Sequence, residues 1–204
     1  MIYYYIKFKH SMKFLKTFET NLKVAQKNYE KIINDKKFKL ALNKVIKLLA
    51  KCIKNKGKII FIGNGGSAAD AQHLSSELVG KFLKKRKSIP AIALTTDTSI
   101  ITSISNDFDY SKIFVRQIES IGNKNDILFA ITTSGKSKNI IEALKICKSK
   151  KIQTVCLTKI NYPKKINKLT KNIIPVPANR VDRIQELHIF IGHSICEALE
   201  NKLS

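Results

Sequence analysis

The stretch KIIFIGNGGSAADAQHLSSEL, residues 58–78, decides the fold. It opens on a short run of Ile and Phe, Lys58–Gly63, which suits a pleated strand buried on both faces. The turn Gly63-Asn64-Gly65-Gly66-Ser67 follows, and residues 67–85 then read as a helix. Glycine lets the backbone take positive φ and approach a ligand closely. The free N–H groups at a helix start favour an anion or a sugar oxygen. A plain strand-to-helix turn with Ser67 as N-cap uses the same residues, so this turn alone leaves both readings open.

Working outward, the same unit recurs. Ala91–Thr96 (AIALTT), Asp126–Thr133 (DILFAITT), Ile152–Thr158 (IQTVCLT) and Asn172–Pro177 (NIIPVP) read as further strands. The last is expected at an edge, since its two prolines cannot donate to a ladder. Helices are expected over 138–148 and 181–199. Two more, over 13–35 and 38–55, precede the first strand, with Phe14, Leu15, Phe18, Leu22 and Ala25 on one stripe and Leu40, Val45, Leu48, Leu49 and Cys52 on the next. Gly57 is placed to end the second. Short apolar strands alternating with helices predict an α/β fold with a five-stranded parallel sheet between helical layers. Ligands then bind at the carboxyl ends of the strands, where both glycine-serine turns fall.

The second such turn, Thr132-Thr133-Ser134-Gly135-Lys136-Ser137, gathers four hydroxyls and a glycine at one helix N-terminus. A phosphate needs that many donors, and capping alone does not. The G-x-x-x-x-G-K spacing of a nucleoside triphosphate loop is absent. On the helix after the first turn His73 and Glu77 stand at i and i+4, about 40° apart around the axis. That spacing suits a metal site or a general base with its neighbour, and equally a solvated surface pair. On the last helix Gln185 and His193 are about 80° apart and about 12 Å apart along the axis, so sharing one point requires both to lean inward. His188 lies about 140° from His193 and reads as structural.

The formal charge is +23, with 38 Lys+Arg against 15 Asp+Glu. Such a balance points to an anionic partner. However, the arginines are only Arg86, Arg116, Arg180 and Arg183, and the lysines are spread along the chain. Abundant Lys, Ile and Asn is what an AT-rich genome encodes. No nucleic-acid-binding motif is present, so nucleic acid is not favoured as a partner. Cys52, Cys147, Cys156 and Cys196 form no C-x-x-C pair and read as buried free thiols, which predicts a reducing, cytoplasmic compartment. No run is long enough to span a bilayer, so no membrane role is expected. Residues 1–11 are expected to be a non-native or disordered extension, and 12–204 a single domain with an N-terminal helical segment.

Five ordered blocks carry a family resemblance: GNGGSAADAQHLSSEL (63–78), AIALTTDTS (91–99), SNDF (105–108), TTSGKS (132–137) and DRIQELHIFIGH (182–193). From Met12 to its end the chain resembles the phosphoheptose isomerases of the SIS domain family. The resemblance implies the SIS-type three-layer sandwich and conversion of sedoheptulose 7-phosphate to D-glycero-D-manno-heptose 7-phosphate through an enediol. In the family that is the first step toward the heptose nucleotides of lipopolysaccharide and surface glycans. It implies Glu77 as base and His193 as acid-base partner; a glutamate doing this near neutrality needs a partly desolvated site. It makes Thr132, Thr133, Ser134 and Ser137 the phosphate clasp, with Asn64, Gly65, Gly66, Asn106, Asp107, Glu77 and Gln185 as further substrate contacts. It implies one zinc per subunit on His73, Glu77, Gln185 and His193, and a homotetramer whose sites lie between subunits.

Two departures stand out. Thr158-Lys159-Ile160-Asn161 replaces a glycine-rich turn usual in the family, and Thr132 stands where Ser is common. The alternatives are a non-catalytic SIS protein that binds the replication initiator, a sugar-phosphate-sensing regulator, and an isomerase of another phosphosugar. Retention of His73, Glu77, Gln185 and His193 disfavours the first. The N-terminal helices leave no room for the full DNA-binding domain that the second usually carries.

Overall fold

The structure, a computed structural model, describes residues 2–203, with side chains from residue 14 onward. It divides into two units, residues 1–35 and 36–204. The first is the helix α1 (Ile2–Asn34). Of its apolar stripe, Phe14, Leu15, Phe18 and Leu22 are exposed. The expected extension at 1–11 falls on side chains outside the described residues.

The second unit runs α2 (Lys36–Lys54), β1 (Ile59–Ile62), α3 (Gly66–Val79), β2 (Ala91–Ala93), α4 (Thr98–Asp107), α5 (Ile113–Ile121), β3 (Ile127–Ile131), α6 (Lys138–Ser149), β4 (Gln153–Lys159), β5 (Asn172–Val176) and α7 (Val181–Leu203). The five strands form one parallel sheet in the order β2-β1-β3-β4-β5. β1, β3 and most of β4 are buried on both faces, as the unbroken apolar runs of β1 and β3 require. β5 is the edge, where Pro175 sits opposite Thr158 without a ladder donor to lose.

Alternation divides the sheet's side chains between two helical layers. Ile60, Ile62, Leu128 and Ala130 pack with Ile104, Ile113, Phe114, Ile118, Ile140 and Leu144 of α4, α5 and α6. The opposite face carries Phe61 and Phe129, whose ring centroids are 5.3 Å apart. On that side α3 packs on α7 and β1, and α2 packs on α7 and β5. The chain leaves β1 toward β2 on one side and returns to β3 on the other. The switch point therefore lies between β1 and β3, which pair through Ile62 and Ala130. The two glycine-serine turns begin just beyond that pair.

Four local readings change. The helix expected over 67–85 ends at Val79: Gly80 caps it with its N–H on the Ser76 carbonyl at 2.9 Å, and the next N–H groups bind a carboxylate from α7. The strand expected over 91–96 stops at Ala93. The N-cap of α3 is Gly65, at φ 55°, while Ser67 is already inside the first turn and buried. Residues 98–121, read without any element, hold α4 and α5, joined by a 3-10 turn at Tyr110–Lys112. All four cysteines are buried free thiols, with Cys147, Cys156 and Cys196 pushed up to about 12 by burial. Among the described residues no helix is long and apolar enough to cross a membrane.

Candidate active site

The β1–α3 turn is held open by its neighbours. The amides of Asn64 and Asn139 bond reciprocally, at 2.9 Å and 2.8 Å, and the Tyr110 hydroxyl donates to Asn64 Oδ1 at 3.2 Å. Beyond them Gly65 and Gly66 are exposed, and the N–H groups of Ser67, Ala68 and Ala69 donate to the Asn64 and Gly65 carbonyls at 3.0, 2.9 and 3.2 Å. Gln185 of α7 lies against Gly66: a Cβ added there would stand 2.4 Å from the Gln185 amide nitrogen. The missing side chain is thus what brings Gln185 to the turn.

The β3–α6 turn spends part of its chemistry on itself. Gly135, at φ 64°, donates its N–H to Thr132 Oγ1 at 3.1 Å, and Thr132 is buried. Lys136 N–H donates to Ser134 Oγ at 3.1 Å. Ser137 precedes α6, yet its hydroxyl makes no cap bond. Thr132 and Ser134 accept these bonds, so all four hydroxyls keep their O–H donors. An open cleft of about 380 Å³ joins the two turns, lined by Asn64, Asp109, Tyr110, Ser111, Ser137, Lys138 and Asn139. Asn106 and Asp107 do not line it. They bond to each other at 2.9 Å on the last turn of α4, and Asp107 borders a separate cleft with Phe108 and Arg116.

Further along α3, three groups converge. His73 Nε2 lies 2.8 Å from His193 Nε2 and 3.3 Å from Glu77 Oε1. One ligand atom from each of the three falls within 4.8 Å of the others. A solvated surface pair explains His73 and Glu77 but not the arrival of His193 from 120 residues away. The Glu77 side chain is 20% exposed and so partly desolvated. Two imidazoles and a carboxylate are the donor set of an open catalytic zinc site, and these residues fit such an ion. Gln185 lies at the start of α3. Its partner Gly66 stands seven residues before His73, about 10 Å along α3.

Several neighbours carried no signal in the reading of the sequence. Asp70, one turn before His73 on the same face, has one carboxylate oxygen buried without a partner. Burial pushes its carboxyl up to about 6, against the pull of His73. Phe82 stacks on His193 with ring centroids 5.4 Å apart and planes 16° apart. His188 is fully buried, as its structural reading expects.

A domain match follows the same outline: residues 22–159 fit the SIS domain. The chain belongs to the SIS domain family. Within it, the phosphoheptose isomerase of Nitratiruptor sp. is 41% identical over 91% of this chain and 98% of its own. Phosphoheptose isomerase 1 of Campylobacter jejuni is 47% identical over 77% of this chain and 84% of its own. Among solved SIS structures, a phosphoheptose isomerase from Francisella tularensis superposes with a TM-score of 0.87 at 31% identity. It covers 92% of this chain and 98% of that one. The phosphoheptose isomerase of Neisseria gonorrhoeae gives 0.80 at 33% identity, over 94% and 98%.

Proposed function

We propose that this SIS protein isomerises sedoheptulose 7-phosphate to D-glycero-D-manno-heptose 7-phosphate. The observation that carries the reading is the convergence of His73, Glu77 and His193 on α3, the helix whose N-terminus opens on the two-turn cleft. A ketose–aldose isomerisation needs a base for the C1 proton, a partner that moves protons between the two oxygens, and an anchor for the phosphate. Glu77, partly desolvated, takes the C1 proton; His193 serves the oxygens of the enediol. Thr132, Thr133, Ser134, Ser137 and the free N–H groups at the start of α6 hold the phosphate, the hydroxyls of Thr132 and Ser134 also accepting backbone N–H bonds that shape the turn. Asn64, Gly65, Gly66 and Gln185 meet the sugar. Asn106 and Asp107 join them only in an assembled site.

Zinc, held by His73, Glu77 and His193 with Gln185 as a further ligand, would polarise the sugar oxygens as a Lewis acid. Within one chain the clasp meets the turn before α3, and the acid-base cluster lies further along that helix. A homotetramer with sites between subunits supplies a closer pairing, and the four buried free thiols suit a cytoplasmic setting. Mixing Glu77→Gln subunits with Ser137→Asp subunits, whose added carboxylate repels the phosphate and abolishes turnover alone, checks the assembly: shared sites restore turnover in the mixture, and self-contained sites do not.

The deciding experiment is an isomerase assay on sedoheptulose 7-phosphate with Glu77→Gln and His193→Ala alongside. The wild type should convert it, Glu77→Gln should bind without turnover, and His193→Ala should lose about 10²–10⁴-fold in rate. Full activity in Glu77→Gln removes it as base. No conversion by the zinc-loaded wild type points to another phosphosugar or to a binding protein.

A further inference from the structure

Beyond Val79 the chain runs to β2 without regular structure, and one buried ion pair organises its first turn. The Glu200 carboxylate, on α7 and 1% exposed, accepts the N–H groups of Phe82 at 3.3 Å, Leu83 at 2.9 Å and Lys84 at 2.9 Å. It also accepts Arg86 Nε–H at 3.0 Å. Burial alone would push this carboxyl up, but the three backbone donors and Arg86 hold it below its ordinary value.

The guanidinium works in the other direction. Arg86 Nη2 donates to the Glu77 carbonyl at 2.7 Å, and Nη1 donates to the carbonyls of Leu78 at 2.9 Å, Gly80 at 3.3 Å and Lys87 at 3.1 Å. These include orphan carbonyls at the end of α3, which a helix leaves without partners of its own. One pair thus reaches both acid-base residues. Through Arg86 it clamps the backbone of Glu77. Through Glu200, two turns past His193 on α7, it sets Phe82, whose ring lies flat on the His193 imidazole. A buried ion pair is a poor source of net stability but a good way to specify a geometry.

We infer that Arg86 and Glu200 form a positioning clamp, and that Phe82 is the wall it presses against His193 to hold the imidazole at its working angle. The inference rests on the reading that Glu77 and His193 carry the isomerisation. Phe82, Arg86 and Glu200 are positioning residues, acting through those two.

The experiment is performed on the full-length, zinc-loaded protein with Phe82→Leu, Phe82→Tyr and Glu200→Gln, and Glu77→Gln beside them. Histidine ring resonances are read by NMR, together with kcat and KM. In Phe82→Leu the His193 ring protons should lose the shielding of the stacked ring and move downfield. Its kcat should fall about 10–100-fold, the scale on which a displaced catalytic group acts, with KM little changed. Phe82→Tyr keeps the stack and should restore both readouts. Glu200→Gln should shift the same resonance; if it fails to fold, Phe82→Leu decides. An unmoved His193 resonance, or wild-type kcat, in Phe82→Leu overturns the clamp. If Glu77→Gln retains turnover, the site assignment itself fails. If Glu77→Gln is dead while Phe82→Leu is fully active, only the clamp fails.

Discussion

The turns after β1 and β3 leave neighbouring strands side by side, yet they are built in opposite ways. The 63–67 turn works by leaving side chains out: Gly63 has the Ser67 carbonyl oxygen 2.2 Å from where a Cβ would stand, and Gly66 makes room for Gln185. Its polar side chain, Asn64, is held by Asn139 and Tyr110. The 132–137 turn works by adding hydroxyls, two of which, Thr132 and Ser134, also accept N–H bonds from its own backbone. The first turn depends on bare backbone; the second depends on side-chain hydroxyls.

The largest expected effect lies outside both turns and serves as their control. Burial pushes His188 down to about 4, with only the Thr158 backbone pulling upward. A depressed histidine contributes stability that is present above its unfolded value near 6.5 and lost as pH falls toward 4. That loss should amount to about 3 kcal/mol, should appear in acid titrations of unfolding, and should flatten in His188→Leu. Turn variants should leave this slope unchanged, since neither turn carries a group that titrates in that window.

Gly63→Ala drives a Cβ into backbone and should cost about 2–3 kcal/mol in denaturant unfolding. A normal midpoint would break the claim that the first turn depends on a missing side chain. Gly65→Ala meets open space but keeps φ 55° with ψ −124°, a pairing that favours glycine, so only backbone strain counts, about 1–3 kcal/mol. Thr132→Val leaves the Gly135 N–H unpaired and should cost about 1–2 kcal/mol. Ser137→Ala sharpens the contrast most. With no cap bond to lose, its stability should stay within about 0.5 kcal/mol, while KM for the phosphosugar rises severalfold. A stability loss with unchanged KM would make Ser137 a structural residue like Thr132.

Much of this architecture is local. The runs at 59–62, 127–131 and 153–159 are apolar and β-branched, so a buried parallel sheet follows from them without tertiary information. The helices α4 and α5 escaped because they are short, and because α4 is rich in Ser, Thr and Ile, which are poor helix formers. The signal that could have found α4 is Asp97, whose side chain accepts the Ile100 N–H at 2.9 Å. The end of α3 escaped because its partner, the Glu200 carboxylate, lies on a different helix.

The candidate site divides along the same line. Helical period alone places His73 and Glu77 on one face, and turn chemistry alone places two donor-rich loops at strand ends. Residues three or four apart on a helix meet whatever the rest of the chain does. That His193 approaches His73, that Gln185 stops at Gly66, and that Phe82 covers His193 were decided by the packing of α3 on α7. Those contacts join residues up to 120 positions apart, and no local periodicity encodes the distance between two helices.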